Sequence, residues 1–177
     1  MDTSESPELK KVRFAIEELI TTEKTYLSRL QAVLLVYIQP VKELEILDSQ
    51  DFELQFGCWE KLYTLSKTFY SRLESLQAIQ SSPDSLLEIG QITLDLCNDP
   101  NFNIFQLYLV KFESALHRRA ILSTQNKKFA TFLIDAQNDS RAFGFSIESL
   151  LIEPVIRVSN YIFGCIIYVY MSLKTLL

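Results

Sequence analysis

The sequence has little with which to break a helix. Four glycines and five prolines punctuate 177 residues, too few turn residues for a sandwich or barrel of short strands. Few, long elements are expected instead. Histidine is nearly absent. The single one, His117, precedes Arg118 and Arg119 and reads as a solvated residue on a charged helix face. With no second histidine, no HExxH and no CxxC, neither a metal nor a cofactor is expected. The three cysteines, Cys58, Cys97 and Cys165, lie far apart, and their odd number suits a reduced, cytoplasmic protein. There is no glycine-rich phosphate loop and no GxSxG elbow. Glu17 and Glu18 are adjacent in sequence, diverge around a helix and read as solvated surface. Covalent or acid–base chemistry is therefore not expected. Positive charge is also short: the net charge is -5, which speaks against a nucleic-acid partner needing a basic stripe. The opening MDTSESPELKK shows no apolar secretory region.

What is present is apolar and helical. Hydrophobic residues make up 48% and charged residues 22%, a balance that suits one domain with a real core rather than disorder. Residues 1–8 are polar and are expected to be irregular. Val12, Ile16, Leu19, Tyr26, Leu30, Val33 and Tyr37 then recur at alternating spacings of four and three, with one slot between Leu19 and Tyr26 not apolar. Ile20, Leu27, Leu34, Ile38 and Val41 widen this stripe, and Pro40 predicts a bend. A second helix is expected over 57–78, with Trp59, Leu62, Tyr63, Leu65, Phe69, Leu73 and Leu76 inward. The run SSPDS at 81–85 ends it, and Ser82 or Asp84 could cap a shorter helix to Cys97. After the loop at 98–101 comes a helix over 102–122, with Phe105, Leu109, Phe112 and Leu116 on one face. Asn126 caps another through Ala136. A polar turn spans 137–144. The stretch from Ser146 is largely helical, with Pro154 inside it. The expected class is all-α, an elongated helical bundle.

One residue breaks the first stripe. Glu23 fills a slot where an apolar side chain belongs. A carboxylate there is costly to bury without a partner. Its own helix supplies no cation one turn away, because Leu19 and Ile20 precede it and Tyr26 and Leu27 follow. It is thus paired with another helix, placed at the edge of the stripe, or facing another molecule.

Three segments carry a pattern when taken in order. The first, residues 18–30, reads ELITTEKTYLSRL. The second is FGCWEKLY at 56–63, followed by Phe69 and Leu73. The third is LLIEPVIRVSNY at 150–161, preceded by KFATFLIDAQ at 128–137. Together they resemble the signature regions of the Dbl-homology (DH) domain, the family of guanine nucleotide exchange factors for Rho-type GTPases. The resemblance implies a Rho-family small GTPase as partner. It implies that Glu23 contacts switch I, and that the third region, through Ile156, Arg157 and Asn160, contacts switch II. It implies exchange without a covalent step, by stabilising the nucleotide-free state. Residues 9–177 form the expected DH domain, and any membrane link is indirect.

The third segment also departs from the family. Ile156 stands where a glutamine is usual and Asn160 where a cation is usual, while Arg157 keeps its position. Beyond Tyr161 the pattern drifts, and the family's final long helix is expected to be missing. Weak or lost exchange follows as an expectation, because isoleucine cannot make the polar contacts of glutamine and asparagine lacks charge and reach. Two other readings remain: an inert helical scaffold, and a tail anchor through residues 162–177, whose apolar run is short of the roughly 20 residues a span needs.

Overall fold

The computed structural model describes residues 7–77 and 83–175. Among them every element is helical and there is no strand. α1 runs from Pro7 to Ala32 and continues as a π-helical segment, Val33–Ile38, into α2, Gln39–Glu43. The irregularity therefore precedes Pro40 rather than falling on it. Proline has no N–H to donate, and its ring crowds the carbonyl four residues back. The backbone adapts upstream, and the N–H of Gln39 reaches the carbonyl of Leu34, one residue further than in an α-helix. α1 already includes Pro7 and Glu8; the rest of the expected irregular N-terminus lies outside the described residues.

α3, Ser49–Phe56, is a helix the apolar pattern did not indicate. Its signal is polar: Asp48 caps it by accepting from the N–H of Asp51 at 2.8 Å. α4 spans Trp59–Gln77 and α5 spans Pro83–Asn98. Asp84 thus lies inside the first turn of α5, and Ser82 lies outside the described residues. A 3₁₀ turn, Pro100–Phe102, leads into α6, Asn103–Gln125. Asn126 caps α7, Lys127–Gln137, as its position suggested. A second 3₁₀ turn, Ser140–Ala142, precedes α8, Ile147–Leu151. α9 spans Glu153–Thr175. Pro154 is its second residue, where a missing N–H costs no intrahelical bond.

One core runs the length of the bundle. Leu30, Val33 and Tyr37 from the first helix meet Trp59, Leu62 and Leu73 of α4, Phe105 of α6 and Phe129 of α7. Leu19, Tyr26 and Trp59, expected as core, are all buried, and His117 is exposed, as expected. The side chains of Val12, Ile16 and Leu76 lie outside what is described. The inward face of α6 differs from the expected row. Leu109 and Leu116 are exposed, while Tyr108, Ala115, Arg119 and Leu122 point inward. Arg119 can occupy that row because Gln55 of α3 meets it. The Gln55 side-chain oxygen accepts from Nε and Nη2 of Arg119 at 3.0 and 2.9 Å. The partner on α3 thus sets which face of α6 turns inward.

Candidate functional site

α1 and α9 run antiparallel where the first and third sequence motifs meet. Arg29, late in α1, pairs with Glu153 at the start of α9. Earlier in α1, Thr22 and Glu23 meet Arg157, one turn further along α9. The entry to α9 is also tied down. The Tyr37 hydroxyl donates to the carbonyl of Phe145 at 3.3 Å, and the Arg29 guanidinium lies 4.9 Å from the centre of the Phe145 ring.

Glu23 lies at the centre of this seam and is 0% exposed. Arg157 donates from Nε to Oε2 of Glu23 at 2.7 Å, and its Nη2 closes a second, shorter contact with the same carboxylate. Ser66 of α4 donates to Oε1. The Tyr161 hydroxyl lies 3.2 and 3.1 Å from the two carboxylate oxygens. Arg157 also donates from Nη1 to the Thr22 hydroxyl at 2.8 Å, and its guanidinium lies 5.0 Å from the Tyr161 ring centre. Tyr161 is held in turn by edge contacts with Phe69, Phe102 and Phe105. Three elements, α1, α4 and α9, therefore close on one carboxylate, and α6 backs the Tyr161 ring through Phe105.

The electrostatics match this geometry. Burial pushes the Glu23 carboxyl up from its ordinary value, against the opposing pull of Arg157, Ser66 and Tyr161. Burial works most strongly against the charge on Arg157, but Glu23 and Tyr161 together outweigh it and raise the guanidinium. A guanidinium keeps its proton at any physiological pH. The carboxylate facing it, with two hydroxyls as further donors, is held ionised, so the site is a buried ion pair. Burial raises the Tyr161 hydroxyl well above the usual tyrosine range, keeping it a donor.

This bears directly on the residues expected to meet a partner. Glu23 and Arg157 are 0% and 3% exposed, so neither presents a surface while the network stands. Their geometry is that of an internal lock. Ile156 and Asn160 differ: Ile156 is 52% exposed and Asn160 is half-buried. They flank Arg157 on the outer side of α9. Among the described residues of α1 the exposed acid is Glu18. It lies five residues before Glu23, about 140° around the helix and one turn before Thr22. Thr22 itself faces α9, where its hydroxyl accepts from Arg157. In the antiparallel register, Glu18 comes level with the turn carrying Asn160. Glu18 had read as plain surface. The signal available was that it opens the same motif as Glu23 while facing out of the apolar stripe. Among the described residues, no group of three or more His, Cys, Asp or Glu is placed to hold a metal.

Comparison with known proteins bears on this seam. The sequence profile of the RhoGEF domain matches residues 15–163, from α1 through the first half of α9. The chain belongs to the RhoGEF domain family. It is 30% identical over 165 residues to the myosin-M heavy chain of Dictyostelium discoideum, covering 90% of this chain and 9% of that protein. It is 30% identical over 171 residues to the Rho guanine nucleotide exchange factor TIAM2 of Mus musculus, covering 89% of this chain and 9% of that protein. The fold matches the PDZ-RhoGEF DH/PH domains solved with GTP-gamma-S activated RhoA. The TM-score there is 0.80 at 16% identity, over 96% of this chain and 48% of that one. It also matches the linker-DH/PH domains of p115-RhoGEF, with a TM-score of 0.81 at 17% identity, over 93% and 50%. The chain thus spans about half of those solved chains and a small part of its curated relatives. The all-α, DH-type bundle read from the sequence is the fold observed.

Proposed function

We propose that this RhoGEF domain, residues 9–177, binds a Rho-family small GTPase along the outer side of the α1–α9 seam and promotes GDP/GTP exchange. Glu18, Ile156 and Asn160 are the residues assigned to the surface. Glu23 and Arg157 act from beneath, fixing the two helices in register. The observation that carries this reading is the buried network itself, which ties the first and third family motifs into one rigid edge. A rigid edge suits the task, because it can bind the nucleotide-free conformation better than the loaded one, and linkage then expels nucleotide. No covalent step is involved, and the setting is the cytoplasm. Exchange is weak, since Ile156 and Asn160 supply less polar contact than a glutamine and a cation would.

Among the described residues no helix is long and apolar enough to cross a membrane, so α9 is read as part of the bundle. The test is release of a fluorescent guanine nucleotide from a panel of Rho-type GTPases, alongside capture of the nucleotide-free forms. The expected result is measurable capture with slow release, lost in Glu18→Ala at an unchanged melting midpoint. Capture without any release leaves the inert scaffold reading. Failure to capture any member of the panel overturns the proposal.

A further inference from the structure

Cys97 lies in the last turn of α5 and Cys165 midway along α9, with their sulfurs 3.5 Å apart. Both are half-buried free thiols. The Glu23 network does not use them. α5 and α9 pack against each other more extensively than any other pair of described elements. The two sulfurs are therefore held near each other by rigid neighbours and not by a loop. A disulfide needs about 2.05 Å between sulfurs, so side-chain rotation has to close roughly 1.5 Å.

We propose that Cys97 and Cys165 are an oxidative modification site, forming a disulfide on exposure to hydrogen peroxide and so stapling α9 to α5. Peroxide first oxidises one thiol to a sulfenic acid, releasing one water. The neighbouring thiol attacks that sulfur. The S–S bond forms, the S–O bond breaks, and hydroxide leaves with the attacking thiol's proton as a second water. Two electrons pass from the two sulfurs to the peroxide. A thiol reductant reverses the bond by exchange. Burial, helped by the adjacent Cys165, pushes the Cys97 thiol up to about 12. Cys97 therefore stays protonated at neutral pH, which keeps the pair reduced until oxidant is in excess. Cys58 is buried elsewhere in the core and is not part of the pair.

The staple has mechanical consequences. Tyr161 lies one turn before Cys165 on α9 and Arg157 two turns before. Fixing Cys165 to α5 therefore anchors the helix that carries the buried lock. The bond also closes a loop between residues 68 apart, restricting the unfolded chain.

The full chain, treated with hydrogen peroxide and then an alkylating agent, provides the test by intact mass and peptide mapping. The expected product has lost two hydrogens, carries a peptide joining Cys97 to Cys165, and leaves Cys58 alkylated. Its melting midpoint rises by roughly 5–15 °C and falls back with dithiothreitol. Cys165→Ser shows neither change. Oxygen addition without a cross-link, a cross-link through Cys58 or to a second chain, or no change in mass overturns the proposal. The wild-type mass map decides the matter even if a serine variant fails to fold. None of these readouts depends on GTPase binding.

Discussion

The Nε of Arg157 lies 2.7 Å from Oε2 of Glu23, across 134 residues of sequence, in a place where neither side chain is more than 3% exposed. Removing one partner strands the other as an unpaired buried charge. Glu23→Ala and Arg157→Ala are each expected to lower unfolding free energy by about 3–5 kcal/mol. In a double-mutant cycle the two should couple by at least about 2 kcal/mol. Denaturant melts of the four proteins measure this. If Glu23→Ala instead abolished GTPase capture at unchanged stability, Glu23 would be a direct contact and the internal lock would not hold.

Tyr161→Phe separates the hydroxyl from the ring. The edge contacts with Phe69, Phe102 and Phe105 are kept, and the contacts with both Glu23 oxygens are lost. The expected cost is about 1.5–3 kcal/mol, as for a hydrogen bond to a charged group. Tyr161→Ala should cost more, because it also opens a cavity. Equal losses in the two variants would show that the hydroxyl contributes all the stabilisation and the ring none.

Asp51 gives a pH dependence with a definite sign. Arg118 donates to both its oxygens, at 2.7 and 2.8 Å, and holds the carboxyl below its ordinary value of 3.8. A lowered folded value means that the stabilisation is complete above the unfolded value. It is then lost as pH falls through the lower, folded one. The melting-midpoint advantage of wild type over Asp51→Asn should therefore be constant from pH 7 to 5 and shrink below 3.8. The effect is below about 1 kcal/mol, because the Arg118 side chain is 40% exposed and solvent screens it. An advantage that persisted undiminished at pH 2 would contradict this.

Asn126 does two jobs with one side chain. Its Oδ1 accepts from the N–H of Phe129 at 3.0 Å, and its Nδ2 donates to the carbonyl of Ile46 at 3.0 Å. Asn126→Asp keeps the cap and loses the second bond, whereas Asn126→Ala loses both. The alanine variant should lose about 1–2 kcal/mol and the aspartate variant less. Chemical denaturation of both variants checks the order.

Much of this architecture was legible because apolar periodicity reports buried faces directly. The first long helix, α4 and α7 follow from spacing, and Asn126 is visible as a cap from residue type alone. Two features were not legible for a shared reason: polar residues inside a core look like surface until their partners are placed. Arg119 turned the inward face of α6 away from Leu109 and Leu116, and its partner Gln55 sits on a helix announced only by Asp48. Glu23 was visible as an anomaly, but Arg157, Ser66 and Tyr161 come from distant segments, and no local spacing reveals them. The resemblance implied that both regions serve one partner. Residue type does not indicate which acid of the motif faces inward, and so Glu18 reads only as solvated surface beside Glu23.

The lock at Glu23 also shapes how variants of this chain would behave in a living cell. A loss of even 1–2 kcal/mol can change the steady-state amount of a protein several-fold through quality control. On the proposed function, substitutions at Glu23, Arg157 or Tyr161 would therefore deplete the protein and also loosen the edge in each surviving molecule. On the same proposal, substitutions at Glu18 would leave abundance intact and silence each molecule. Two lesions in neighbouring positions of one motif would look alike in a cellular readout, and only normalising to protein level would tell them apart.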